Sequence, residues 1–338
     1  MSTATASAPP RAAASPRDGA LRRRATKKRM LIVVNPYATT VSDRLKNLVV
    51  YALQVRYEVE AVSTQAQNHA TEICREASDG NYDIVVAFGG DGTLNEVANG
   101  LAGTDVPVSM LPGGSTNVVC RALGIPNDVV DATEHLLGVA DAFRPRRIDL
   151  GRAGERRFVF ACGAGLDATA VKRVDANPGL KSKAGRWYFT WATISGFYRQ
   201  YLRNPVRISL AVEDREPVEG VTAIAQNSDP FTYFGRQPVR VCEGAAFDNG
   251  TLSLAMLLRA AQRDVPTIMA RCLSDGLRAA DHRQIAHFEG VAEGRLRSLS
   301  RDDDGRVRPF PVEVDGDYLG DFAELDLTIE PGALTVVA

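Results

Sequence analysis

Apolar positions along this chain change their period near residue 146. Before that point, short runs rich in Val and Ile alternate with stretches whose apolar residues recur at helical spacing. Met30 to Val34 is such a run and stops at Asn35-Pro36. Leu45, Leu48, Val49, Ala52 and Leu53 then share one helical face. Residues 55–62 alternate as a strand, 70–77 are helical, 84–88 are a β-branched run, and 106–111 form another short strand. Strands alternating with helices predict an α/β domain over residues 30–147, built on a mostly parallel sheet covered on both faces. Beyond Arg146 the segments 147–150, 158–162, 206–212, 220–226, 250–258 and 324–329 read as strands with few helices between them. They predict a second, mainly β domain over 148–338, a sandwich of two antiparallel sheets. Residues 1–29 hold little to bury and end in Arg22, Arg23, Arg24, Lys27, Lys28 and Arg29, so they are expected to be a disordered basic tail.

The stretch that organises the first domain is Asp83 to Leu101, DIVVAFGGDGTLNEVANGL. A strand ends at Gly89 and Gly90, and a helical pattern restarts after Gly92. Leu94, Val97, Ala98 and Leu101 fall on its apolar face, whereas Asn95, Glu96 and Asn99 are expected to point elsewhere. Glycines at a helix start let backbone N–H groups approach an anion, so the preferred guest is a phosphate. Asp91, Thr93 and Glu96 add polar groups at the same strand end. A second glycine loop follows the next strand, in PGGSTNVVCRALGIP: Gly113 and Gly114 again permit close approach, and Ser115 or Thr116 is placed to cap the helix carrying Val119 and Leu123. In parallel sheets, ligands bind beyond the carboxyl ends of the strands. Asn35, Thr64, the Gly89–Thr93 turn and the loop from Pro112 to Asn117 all lie at such ends and are expected to converge on a nucleotide.

No Gly-Lys-Ser/Thr follows the glycines, and their spacing is not the dinucleotide fingerprint. GGDGT followed by Asn95-Glu96 resembles instead the shared signature of diacylglycerol kinases, sphingosine kinases and NAD kinases. Asn35-Pro36 and PGGSTNxxxRxLG narrow this to the catalytic domain of diacylglycerol kinases and bacterial lipid kinases. The resemblance implies an ATP- and Mg²⁺-dependent kinase that phosphorylates a hydroxyl of a lipid such as diacylglycerol or a sphingoid base. It places Gly89, Gly90, Asp91, Gly92, Thr93, Glu96, Gly113, Gly114, Ser115, Thr116 and Asn117 at the nucleotide, with Asn35 and Thr64 beside them. The loop Tyr37–Thr40 reads YATT where the family carries small residues and glycine, leaving Thr39 or Thr40 as contacts. EVDGDYLG, residues 313–320, resembles the family's DGE: Asp315 would be the catalytic base and Asp317 the second acid, one methylene shorter than Glu. FDNGTL, residues 247–252, resembles a structural magnesium segment, with Asp248 and Asn249 as ligands; an Asn-Gly turn fits it equally well. In FACGAGLDATAV, residues 160–171, Asp167 is either a cleft residue or a helix N-cap.

Composition changes this picture little. The chain has 338 residues, 45% hydrophobic and 24% charged, with net charge −1, which gives no case for a nucleic-acid partner. Cys74, Cys120, Cys162, Cys242 and Cys272 are scattered and are expected to be reduced and buried. The run Arg301 to Arg306, RDDDGR, reads as a solvated hairpin tip rather than a metal site. In 181–203, Trp187, Trp191, Ile194 and Tyr198 share a helical face between basic flanks, which suits either a lipid headgroup boundary or ordinary core. No run of about 18 apolar residues predicts a membrane-spanning helix. The expected setting is cytoplasmic, peripherally associated with the membrane, with a lipid substrate and ATP as partners and a homodimer left open. The rival readings are an NAD kinase and a non-catalytic, nucleotide-regulated lipid-binding protein.

Overall fold

The computed structural model describes residues 27–78, 82–140, 143–166, 168–169 and 205–338. Its N-terminal half is the expected α/β unit. Strands β1 (Lys28–Val34), β2 (Tyr57–Ser63), β3 (Ile84–Gly89) and β4 (Val108–Pro112) pair in parallel in the order β2-β1-β3-β4. All six residues of β3 are buried, as a strand covered on both faces requires. Helices α1 (Asp43–Leu53) and α5 (Val129–Val139) pack together, and α2 (His69–Ala77) packs on α3 (Asp91–Leu101). Two helix starts follow directly from local sequence. Ser42 accepts from the Leu45 N–H at 3.2 Å, and Asp128 accepts from Val130 and Asp131 at 2.8 and 3.3 Å.

The C-terminal half is a sandwich of antiparallel strands. One layer contains β5 (Arg146–Ala153), β6 (Arg156–Phe158), β8 (Ile208–Val212), β9 (Val218–Gly220), β15 (Glu293–Ser298) and β18 (Glu324–Val336). The other runs β14-β13-β10-β7-β16-β17, from β7 (Ala161–Gly165), β10 (Thr222–Gln226), β13 (Leu252–Leu257), β14 (Ile285–Val291), β16 (Phe310–Val314) and β17 (Asp317–Phe322). Phe158, Leu210, Leu296 and Leu327 from the first layer meet Leu254, Met256, Phe310 and Val312 from the second in one buried cluster. A small hairpin of β11 (Thr232–Phe234) and β12 (Gln237–Val239), and a short helix α6 (Val265–Cys272), lie outside these layers.

The first layer continues into the parallel sheet. Near its end β18 reaches β4, pairing Val336 with Val108, and the Val337 N–H donates to Val108 O at 2.9 Å. Leu334, Val336 and Val337 are buried in the N-terminal core. The chain therefore crosses residue 148 inside a sheet of ten strands. Pro331-Gly332 makes the return possible: the ladder with β5 shifts register between Glu330 and Leu334, and Gly332 sits at φ 60°. All five cysteines are free and buried, as expected.

Candidate active site

At the carboxyl end of β3 the chain turns through Gly89 and Gly90 into α3. A Cβ on Gly89 would lie 2.3 Å from Thr93 Oγ1, so only glycine fits there. Gly90 is the N-cap of α3 and, having no side chain, supplies no cap of its own to this eleven-residue helix, whose N-terminal end carries the positive end of the helix dipole. The second loop packs directly on this turn. The Gly113 N–H donates to Gly89 O at 2.7 Å, and a Cβ on Gly114 would stand 2.9 Å from Gly90 Cα. The YATT loop joins them through the Thr40 N–H, 3.2 Å from Gly113 O. Asn35 Nδ2 donates to Thr93 Oγ1 at 3.1 Å, and its Oδ1 accepts from the Tyr37 N–H at 2.9 Å. Thr64 is buried at the end of β2, its N–H bonded to Val34 O at 2.8 Å. The sheet order thus brings Asn35, Thr64 and both glycine loops to one edge.

The DGD turn between β16 and β17 arrives from the other domain. Asp315 is buried at φ 50°, and both of its carboxylate oxygens are engaged. Oδ2 accepts from the Val159 N–H at 2.6 Å and Asn95 Nδ2 at 2.7 Å; Oδ1 accepts from the Phe160 and Ala161 N–H groups at 2.9 and 3.1 Å. Burial pushes its pKa up, while these donors favour the ionised form. Asp317 is partly exposed and lies against the first turn of α3: a Cβ on Gly92 would stand 2.4 Å from Asp317 Oδ2. Asp91 completes a group of three carboxylates. Burial raises its pKa to about 6, and the charges of Asp315 and Asp317 add to the rise.

Residues 29–153 match the model of the diacylglycerol kinase catalytic domain. Over that stretch the chain resembles this family. The diacylglycerol kinase of Bacillus subtilis is 36% identical over 146 residues, which cover 41% of this chain and 46% of that protein. The Staphylococcus aureus enzyme of the same name is 35% identical over 147 residues, 41% of this chain and 44% of its own length. The matched stretch thus spans a little under half the length of these relatives. The fold agrees over much more of the molecule: a crystal structure of a diacylglycerol kinase from Bacillus anthracis superposes with a TM-score of 0.66 at 17% identity, covering 92% of this chain and 97% of that one.

Within and around this matched stretch several residues stand differently from the sequence reading. Neither Ser115 nor Thr116 caps helix α4 (Val118–Leu123). Ser115 is exposed, and the cap comes from Asp91, whose oxygens accept from the Val118 and Val119 N–H groups at 3.0 and 3.2 Å. Asn117 folds back on its own loop, bonding Gly114 N and O, each at 2.9 Å. Glu96 is spent on α2, accepting from the Asn68 and Ala70 N–H groups at 2.8 and 3.1 Å, because Asn68 supplies no side-chain cap. Its carboxylate, expected at the nucleotide, faces the start of α2 here. Asn95, off the apolar face of α3 as expected, is nevertheless completely buried and carries the bond to Asp315; another goes to Arg157 O at 2.8 Å. Polar residues one turn into α3 were the only local signal for it.

The expected metal pair is not assembled. Asn249 donates to Gly244 O and accepts from the Thr251 N–H, each at 3.1 Å, which makes the Asn-Gly turn. Asp248 is exposed and faces Arg146 at 3.9 Å. The loop is held instead by Asp149, which accepts from the Gly250 and Gly332 N–H groups at 2.7 Å each. Among the described residues no group of three or more His, Cys, Asp or Glu side chains is placed to hold a metal. Asp302, Asp303 and Asp304 are exposed at a hairpin tip closed by the bridge Arg301–Val307. Asp167, the aromatic stretch 181–203 and the basic residues Arg22, Arg23 and Arg24 lie outside the described residues. No described helix is long and apolar enough to cross a membrane.

Proposed function

We propose that this protein transfers the terminal phosphoryl group of ATP, with Mg²⁺, to a hydroxyl of a membrane lipid such as diacylglycerol. The observation that carries this reading is the seating of the Asp315–Asp317 turn against the first turn of α3, where two glycine loops press backbone to backbone. A nucleotide phosphate fits there: Gly90 supplies no cap of its own to the start of α3, whereas Asp91 already occupies the start of α4. Phosphoryl transfer depends mainly on positioning and charge stabilisation, and Mg²⁺ would neutralise the charge on the transferred group. Asp317, a hard oxygen donor beside Gly92, is the residue that would hold the ion. The same carboxylate would orient the acceptor hydroxyl. Asp315, named as the base on family resemblance, has both oxygens filled by four donors; it fixes the turn and, through Asn95, locks it to α3.

The test is phosphate transfer from labelled ATP with Mg²⁺, offered to diacylglycerol, a sphingoid base and NAD in parallel. Label on a lipid and none on NAD is expected. Label on NAD alone would establish the NAD kinase reading. Nucleotide binding with no transfer to any acceptor would establish the non-catalytic one.

A further inference from the structure

Helix α6, VPTIMARC, buries only its last residue, Cys272. In a helix that packs on a protein core, a broad apolar stripe faces inward. Here Val265 is 38% exposed and Met269 46%, with Pro266 and Ala270 exposed beside them. Two neighbouring loops extend the apolar surface, Leu277 at 52% and Phe234 at the end of β11 at 57%. The hairpin is joined to the helix by the Arg240 N–H, which donates to Cys272 O at 2.8 Å, and by Gln237 Nε2, 3.0 Å from Leu273 O.

The charges around this surface have one dominant sign. Residues 259–283 carry Arg259, Arg263, Arg271, Arg278 and Arg283 against Asp264, Asp275 and Asp281, a net of +2 in a chain whose total is −1. Arg283 is paired with the buried Asp264 at 2.7 Å and Arg278 with Glu289 at 2.8 Å, so the positive field comes from Arg259, Arg263, Arg271 and, on the hairpin, Arg236. Arg259, Arg263 and Arg236 are exposed on the flanks. Apolar side chains ringed by guanidinium groups complement an anionic bilayer, whose acyl boundary takes the first and whose headgroups take the second.

We infer that α6 and the β11–β12 hairpin form the surface by which this protein docks on anionic membranes. This deepens the proposed function by naming how a lipid substrate is met, and it rests on that reading only for the identity of the substrate. The surface is also linked to the nucleotide loops. Arg121 of α4 donates to Gly235 O at 2.9 Å, and its guanidinium lies 4.5 Å from the Tyr233 ring centroid. The helix that Asp91 caps therefore rests on the hairpin that would lie on the bilayer.

The test uses the full chain and sucrose-loaded vesicles of phosphatidylcholine with or without phosphatidylglycerol, read by sedimentation. Binding is expected on the anionic vesicles, weak on phosphatidylcholine alone and falling with added salt. V265S/M269S should lower the partition coefficient about tenfold or more. R259E/R263E should do the same on anionic vesicles. These side chains are exposed, so both variants should keep the melting temperature of the parent and its turnover of a short-chain, water-soluble diacylglycerol. Because sedimentation requires no turnover, failure of the kinase reading would leave this result intact. Absence of binding by the parent protein, or equal partition by parent and both variants, would overturn the inference. So would a parent dimer that V265S/M269S converts to a monomer, since the patch would then join two copies of the chain.

Discussion

At Asp315 both carboxylate oxygens are taken by four donors, whereas Asp317, two positions later, presents an oxygen to the backbone of α3 beside Gly92. The same substitution should therefore fail differently at the two sites. In Asp315→Asn an amide nitrogen must face N–H groups that need an acceptor. Leaving buried donors unsatisfied should cost about 2–4 kcal/mol of stability, and activity should fall with it. Asp317→Asn removes a charge from a partly exposed position, so the fold should keep its melting temperature while turnover drops about 10²–10⁴-fold. Thermal melts alongside kinetics on both variants check this. A fully stable Asp315→Asn protein, or an active Asp317→Asn one, would reverse the two roles.

Helix α4 is only six residues long, and its N-cap, Asn117, is in a left-handed conformation and supplies no side-chain cap. Its stability is borrowed from Asp91 on α3, and that loan depends on pH. Burial raises the folded pKa of Asp91 from 3.8 to about 6. Between those values the folded state binds more protons than the unfolded chain, so the Asp91 contribution to stability declines as pH rises through the window. Asp91→Asn removes that slope. Melting curves from pH 4 to 6.5 should show the wild type losing stability relative to Asp91→Asn as pH increases. A constant difference between the two proteins, or one that moves the other way, would show that Asp91 titrates normally.

Across the whole molecule, the two halves are tied by the end of β18 and the residue that follows it. Leu334, Val336 and Val337 are 0%, 2% and 1% exposed in the core of the N-terminal half, although the rest of β18 belongs to the sandwich. Removing residues 334–338 should strip on the order of 5 kcal/mol of apolar burial from the nucleotide domain. It should also break the bridge to β4. Chemical denaturation followed by a probe in each half should show the N-terminal half unfolding first in the truncated chain, and both together in the intact one. Coincident, unshifted transitions after truncation would mean that β18 does not couple the halves.

The sequence by itself determined the features that depend on neighbours in the chain. The β-branched runs became β1, β3 and β4, the glycines of GGDGT made the turn into α3, and Asp304-Gly305 and Asn249-Gly250 sit in turns as their residue types require. It missed β15, whose Glu293, Arg295 and Arg297 face outward while one of its two inward positions is Gly294, which leaves Leu296 as the single apolar residue to mark the period. Only the tertiary structure decided what each polar side chain meets. Asp315 finds donors at Val159, Phe160 and Ala161, more than 150 positions away, and Asp91 caps a helix that starts 27 positions later. Glu96 holds α2, and Asn249 closes a turn. Local spacing records which residues share a face. The partner of a buried carboxylate is set by strand order and by the demand that every buried donor be satisfied, and neither is written in the neighbouring residues.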